Sequence, residues 1–320
     1  MAVNTETDVT AVLLAEEKQI TARSPLQLFW RRLRKDKVAI VALGFIVLLI
    51  LVAILAPVIV SLANAADPQE TNSSALSAFG AATGPSGEYF FGVDNLGRDV
   101  FSRVVYGARV SLEVALISTG IAVFIGTLVG LLAGYYRGWV DTVLSRLTDV
   151  VLAFPILLLG LGLAAACSGV DGCAGGLIEP GLPVVITVIA IINWTYIARI
   201  VRGQVLSLRE KEFVEAARSV GASDRQIIVR EILPNLVAPL IVYSSLLIPA
   251  NILLEAALSF LGVGVGAGTP SWGGMISDAQ TLFPEAWWFM LFPGLALLIT
   301  VLAFNLVGDG LQDALDPRRN

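Results

Sequence analysis

The side chains able to do chemistry in this 320-residue chain are few. Histidine is absent, which removes His-based triads and most zinc sites. The two cysteines, Cys167 and Cys173, stand in a C-x5-C spacing that suits either a short-loop disulfide or two free thiols. Glu255 is an acid inside a long apolar run, with Asn251 and Ser259 four residues to either side and on its face if the run is helical. Asp94, Arg98, Asp99 and Arg103 cluster in the string D-N-L-G-R-D-V-F-S-R. The glycine-rich string G-V-G-V-G-A-G-T-P-S-W-G-G-M-I has no preceding strand and no G-x-G-x-x-G spacing, so it is not read as a phosphate loop. No G-x-x-x-x-G-K-[ST] sequence occurs, so any ATP must be bound by another chain. An intramembrane hydrolase would need a nucleophile and base at depth, and the apolar runs hold no obvious Ser-Lys or paired-Asp arrangement.

The most informative charges lie between apolar blocks, at 207–234: S-L-R-E-K-E-F-V-E-A-A-R-S-V-G-A-S-D-R-Q-I-I-V-R-E-I-L-P. So polar a segment must stand in water while its flanks sit in lipid. Ser207 with Glu210 three residues on reads as a capping box, and Phe213, Ala216, Ala217 and Val220 share one helical face. Gly221 then stops the helix, because glycine takes the left-handed turn that ends it. Ser223 with Gln226 starts a return helix through Ile227, Ile228 and Ile232 toward Pro234. The blander alternative is a solvated loop between two membrane helices.

The elements that position these residues follow from composition. The chain is 56% hydrophobic and 15% charged, with a mean hydropathy of +0.79; it is an integral membrane protein, and its longest runs suit spanning helices rather than a barrel. We divide it into a polar tail and basic entry (1–37), a first span (38–66), a polar segment with an interfacial helix (67–106), a core of five further spans (107–310) and a C-terminal tail (311–320). The uncharged run at 38–66 is too long for a cleavable signal peptide. Asp94 is expected to cap the interfacial helix, whose Val100, Phe101, Val104 and Val105 oppose Arg98, Asp99 and Arg103. Gly126, Gly130 and Gly134 mark a face of the second span for close packing. The third span is expected from Asp149 past Phe154 and Pro155 to Cys167, the fourth over 182–198, the fifth over 233–262 with breaks at Pro239 and Pro249, and the sixth over 286–307.

Basic residues set the expected orientation. With the N-terminus inside, the cytoplasmic segments hold seven Lys/Arg before Val38, then Arg137 and Arg146, seven more over 199–230, and Arg318 with Arg319, so eighteen; the outside holds Arg98, Arg103 and Arg109. Eighteen against three is a strong positive-inside signal and puts both termini and the 205–234 loop in the cytoplasm. The net charge of -5 gives no case for nucleic acid.

Glu215-Ala216-Ala217, three residues, Gly221, then Ile232-Leu233-Pro234 resembles the E-A-A motif of permease subunits in ATP-binding-cassette (ABC) importers. The contiguous Ile-Leu-Pro is similar to the peptide-importer branch. So are the string G-V-D-N-L-G-R-D, the L-S-F-L-G and T-P-S-W-G segments, and the closing F-N-L-V-G-D-G-L-Q-D-A-L-D-P-R. The resemblance, to C-type permeases of dipeptide and oligopeptide importers, implies an all-α bundle of six transmembrane helices with the type I importer fold in a bacterial inner membrane. It implies a heterodimer with a second, homologous permease, two cytosolic ATPases that carry the ATP and Mg, and an extracytoplasmic substrate-binding protein. The coupling role falls on Phe213, Glu215, Ala216, Ala217, Val220, Gly221 and Pro234, with no cofactor, metal or catalysis in this chain. Asp94, Arg98, Asp99 and Arg103 either contact the substrate-delivering protein or pin their segment to headgroups and each other. Asn251, Glu255 and Ser259 either line the translocation path or form a structural polar stripe. Dipeptides, oligopeptides, nickel chelates and glutathione remain open as substrates. A secondary transporter, the rival of another class, would need broken half-helices and ion ligands in matched repeats, and no clear inverted repeat is present.

Overall fold

The computed structural model describes residues 25–315, apart from 168, 170, 171 and 267; the two terminal stretches 1–24 and 316–320 lie outside the described residues. In lipid every backbone polar group must be satisfied within the protein, and here each apolar run becomes helix. In chain order these are α1 (Pro25–Leu33), α2 (Lys37–Ile54), α3 (Ala56–Leu62), α4 (Val100–Tyr136), α5 (Gly138–Leu152) and α6 (Ile156–Ala166). Then come α7 (Leu182–Leu208), α8 (Glu212–Ser219), α9 (Asp224–Phe260), α10 (Trp272–Ala279) and α11 (Trp287–Leu315). Five of them, α2, α4, α7, α9 and α11, are long and apolar enough to cross a membrane, and α5 with α6 makes a sixth, bent by 86°.

Several boundaries differ from the sequence expectation, each for a local reason. The first span is not one helix over 38–66: it divides at Leu55, and Pro57 takes the first turn of α3, where its missing N–H costs nothing. No separate interfacial helix precedes the second span, because Val100 to Tyr106 are the first turns of the 37-residue α4. The third span begins earlier, at Gly138, and is broken over 153–155, since Pro155 disfavours helical geometry at Phe154 and begins a new helix direction. The fourth reaches Leu208. The fifth is continuous from Asp224 through both Pro239 and Pro249. Over Ile227–Ile232 it winds as a π-helix, in which the Leu233 N–H donates to the Ile228 carbonyl; the wider register delivers the chain to Pro234, which has no N–H to give. The sixth runs on to Leu315, so much of the expected C-terminal tail is helix.

The bundle is built on the pair α4 and α7. Gly126, Gly130 and Gly134 are all buried on α4, and a Cβ at Gly130 would lie 2.6 Å from the Ala198 carbonyl oxygen. The expected small-residue face therefore packs against α7, backbone close to side-chain stem. α9 packs on both helices of this pair, α11 packs on α9 and α4, and α2 packs on α11.

Candidate functional site

At one end of the bundle the chain leaves α7, forms α8, turns at Gly221 and re-enters as α9. The expected Ser207–Glu210 box does not form. α7 continues through Ser207 because Val205 and Leu208 extend its buried stripe, and Glu210 instead pairs with Arg137 at 2.5 Å. α8 starts after Lys211, whose carbonyl accepts the N–H groups of Val214 and Glu215. Gly221 has φ +83°, and the Ala222 N–H reaches back to the Ala217 carbonyl at 3.0 Å, which closes α8 in a left-handed cap. The second box is present: the Ser223 N–H donates to Gln226 Oε1 at 2.9 Å and the Gln226 N–H to Ser223 Oγ at 3.4 Å.

The apolar face read from the sequence divides in two. Half-buried Ala217, joined by fully buried Val214, which is not part of the face read from the sequence, packs on Ile227, Ile232 and Leu236 of α9 and on Val205 of α7. Phe213, Ala216 and Val220 stay in the open, Val220 at 85% exposure, and with Gly221 and Arg230 they wall a shallow groove. Glu215 is exposed beside them, and Pro234 lies at the base of the α9 span. The short helix is thus fixed by one face to the ends of two spanning helices, and its other face leaves apolar side chains uncovered by the described residues.

Sequence reasoning missed the bonds that hold this loop to the bundle. The Tyr135 hydroxyl donates to Asp224 Oδ1 at 2.7 Å, and the Arg209 guanidinium to the Tyr135 carbonyl. Arg202 grips Asp141 through two bonds of 2.5 and 2.7 Å, and Arg199 reaches Asp149 at 2.8 Å. Partners are 50 to 89 residues apart, where no spacing rule operates. They tie the bent α5 and the end of α4 to the stem of the loop.

Deeper in, Asn251, Glu255 and Ser259 do share one face of α9, and that face is buried inside the chain. Glu255 accepts from Ser111 Oγ at 3.0 Å and from Ser259 Oγ at 2.7 Å. Asn251 donates to Thr119 Oγ1 at 2.8 Å and accepts from the Asn193 amide at 2.8 Å. This seam cross-links α4, α7 and α9; a path-lining role would need these side chains on a surface.

At the opposite end from α8, Asp94 does not cap a helix. Its carboxylate accepts the N–H groups of Leu96 and Arg98 and the Arg98 Nε at 2.6 Å, while Asp99 caps α4 by accepting from the Phe101 N–H at 2.8 Å. Burial pushes the Asp99 carboxyl above the usual range. All four residues are at most 8% exposed, so these side chains are turned inward and pin their segment to each other and to the rest of the chain rather than to headgroups. Arg103 bonds the Pro68 carbonyl at 3.1 Å, Ser102 the Ala66 carbonyl at 2.6 Å, and Arg98 lies 3.8 Å from Asp278. The cluster staples the 67–99 segment to α4 and α10. Trp272 of the T-P-S-W-G segment adds a bond from its indole N–H to the Val104 carbonyl at 3.0 Å and packs closely against Gly107.

Cys167 and Cys173 are joined, with Cα atoms 4.7 Å apart. A thiol reagent should therefore label neither in unreduced, denatured protein and both after reduction. Labelling of both without reduction would remove the bond.

Residues 126–320 match the family described as binding-protein-dependent transport system inner membrane component, and residues 24–77 match the N-terminal TM domain of oligopeptide transport permease C. The dipeptide transport system permease protein DppC of Alkalihalophilus pseudofirmus is 44% identical over 302 residues, covering 94% of this chain and 93% of that protein. The glutathione transport system permease protein GsiD of Pectobacterium atrosepticum is 40% identical, covering 93% of each. Among solved structures, an inward-facing form of the MetNI methionine ABC transporter superposes with a TM-score of 0.57 at 20% identity, over 68% of this chain and 97% of that one, a likeness of fold. A spanning-helix bundle with a water-exposed loop helix, matched along nearly its whole length, places the chain in the binding-protein-dependent transport inner membrane components, as a member of their DppC/OppC-like branch of ABC permeases.

Proposed function

We propose that the chain is the membrane-spanning subunit of an ATP-driven importer of dipeptides or oligopeptides in a bacterial inner membrane, with both termini and α8 in the cytosol. It forms the passage with a second, homologous permease, receives substrate from an extracytoplasmic binding protein, and couples through α8 to two cytosolic ATPases that bind ATP and Mg. The observation that carries this reading is the anchored, half-exposed α8 closed by Gly221. ATP binding favours one state of the ATPase pair, and a rigidly seated helix transmits that preference to the spans as a shift between inward- and outward-open states. The ion pairs from Arg199, Arg202 and Arg137 stiffen the stem through which it passes. The identity to the glutathione permeases supports a second substrate reading, a tripeptide-like thiol compound.

The test is uptake of labelled dipeptide by the co-purified complex in vesicles, with glutathione as competitor and ATP hydrolysis measured in parallel. Ala216→Trp should leave the subunit in the membrane, since Ala216 is exposed, yet abolish substrate-stimulated hydrolysis and uptake. Gly221→Val should be at least as severe, because a β-branched residue at positive φ is strongly disfavoured. Full uptake by both variants would remove α8 from the mechanism, and uptake without ATP would favour a secondary transporter.

A further inference from the structure

Outside the coupling loop, a broad apolar recess lies between the first and last spans. Val38, Val41 and Phe45 of α2 and Ile299, Leu302 and Leu306 of α11 wall a groove of about 470 Å³ that is almost wholly apolar, with Lys37 at its mouth. From Lys37 to Phe45 the groove runs about 12 Å along the helix axis, close to the depth of one leaflet's hydrocarbon. Val41 is 74% exposed and Leu302 53%, so none of the described residues fills it.

The mouth is charged and held in place. Leu33 of α1, 4% exposed, packs with Ala39 and Ala314, which fixes the basic stretch Arg31 to Lys37 beside the opening. Arg34 stacks over Trp30 at 5.0 Å, a pairing suited to the membrane–water boundary. Asp36, Asp309 and Asp313 face the same end, but five basic residues over 31–37 outnumber them, and Asp36 Oδ1 is occupied in capping α2. An apolar trough one leaflet deep under a basic rim is complementary to a lipid with a negative headgroup.

We propose that this groove is a binding site for an anionic phospholipid, one acyl chain lying between α2 and α11 and the phosphate held by Lys37 and its basic neighbours. The site goes beyond the transport reading and depends only on α2 and α11 spanning the bilayer.

The test uses the assembled transporter in mild detergent, titrated with phosphatidylglycerol or phosphatidylethanolamine of matched chains and read by native mass spectrometry. Wild type should retain phosphatidylglycerol preferentially. Lys37→Gln should weaken that retention about fivefold, and Lys35→Gln with Lys37→Gln by more, since a basic residue near a lipid surface is worth about that factor. Val41→Trp, at an exposed position, should fill the trough and remove the adduct without lowering the melting temperature. Equal retention of the two lipids, or unchanged phosphatidylglycerol retention in the lysine and tryptophan variants, would overturn the site. So would absence of any adduct on the intact complex, which would mean that the second permease covers the groove.

Discussion

Gly130→Leu should leave little folded protein in the membrane, while Gly120→Ala, ten residues earlier on the same helix, should yield protein of wild-type or higher melting temperature. At Gly130 an added Cβ would meet the Ala198 carbonyl oxygen at 2.6 Å and Val201 Cβ at 2.7 Å; at Gly126 it would meet Ile197 Cβ at 2.6 Å. These are backbone atoms and β-branched stems, which cannot swing aside, so α4 and α7 would have to separate. Forcing even one extra methylene into a packed interior costs about 1–3 kcal/mol, and leucine adds several carbons beyond the Cβ. In lipid no hydrophobic drive between helices offsets that loss, because association rests on packing and on a few polar bonds. Separation would also break the Arg209–Tyr135 bond at the loop, and Asn251, which bonds Thr119 on α4 and Asn193 on α7, could not keep both. The Gly120 control faces open space, with nothing within 4 Å of its added Cβ. There alanine contributes only its better helix propensity, up to about 1 kcal/mol. Yield and detergent melting curves of Gly130→Leu, Gly130→Ala and Gly120→Ala decide it. A Gly130→Leu protein that melts like wild type would mean the two helices are not in close contact.

What could be read beforehand follows how local each signal is. The spans were legible because the bilayer demands long apolar runs, and the corner at Gly221 because its positive φ is a property of one residue. The Ser223–Gln226 box formed as spaced, but the identical reading of Ser207 and Glu210 failed. There a buried stripe through Val205 and Leu208 carried α7 onward, and a tertiary partner, Arg137, claimed the glutamate. Asp94 and Asp99 show the same competition: both are sound caps by type, and only the fold decides that Asp99 caps α4 while Asp94 holds Arg98. The bend over 153–155 is a case where the sequence held the cause, Pro155, but not the 86° consequence. The lattice of Arg202, Asp141, Arg199 and Asp149 had no readable signal, since it joins elements at separations where only tertiary packing sets the register.

The second large effect concerns Glu255. Glu255→Ala should cost about 3 kcal/mol or more and lower the amount of assembled complex, because it removes the acceptor of two buried hydroxyls and opens a cavity at a fully buried position. A carboxyl group inside a bundle is tolerated only with such partners. Glu255→Gln is the discriminating variant. It keeps the shape, and since a serine hydroxyl can rotate to accept as well as donate, Ser111 and Ser259 can both still be satisfied, one by the amide oxygen and one by its NH2. If Glu255 acts through these two bonds, the glutamine protein assembles and imports every substrate at the wild-type rate. If instead the seam opens to the passage in another state of the cycle, the negative charge matters to what passes: Glu255→Gln would then assemble normally but change uptake rate or substrate preference. Asn251→Ala provides the internal comparison, since Asn251 bonds Thr119 and Asn193 one turn away. It should destabilise as Glu255→Ala does, and a polar replacement that restores its stability should restore uptake with it. A stable protein at either position with altered selectivity would move the seam from the scaffold to the path.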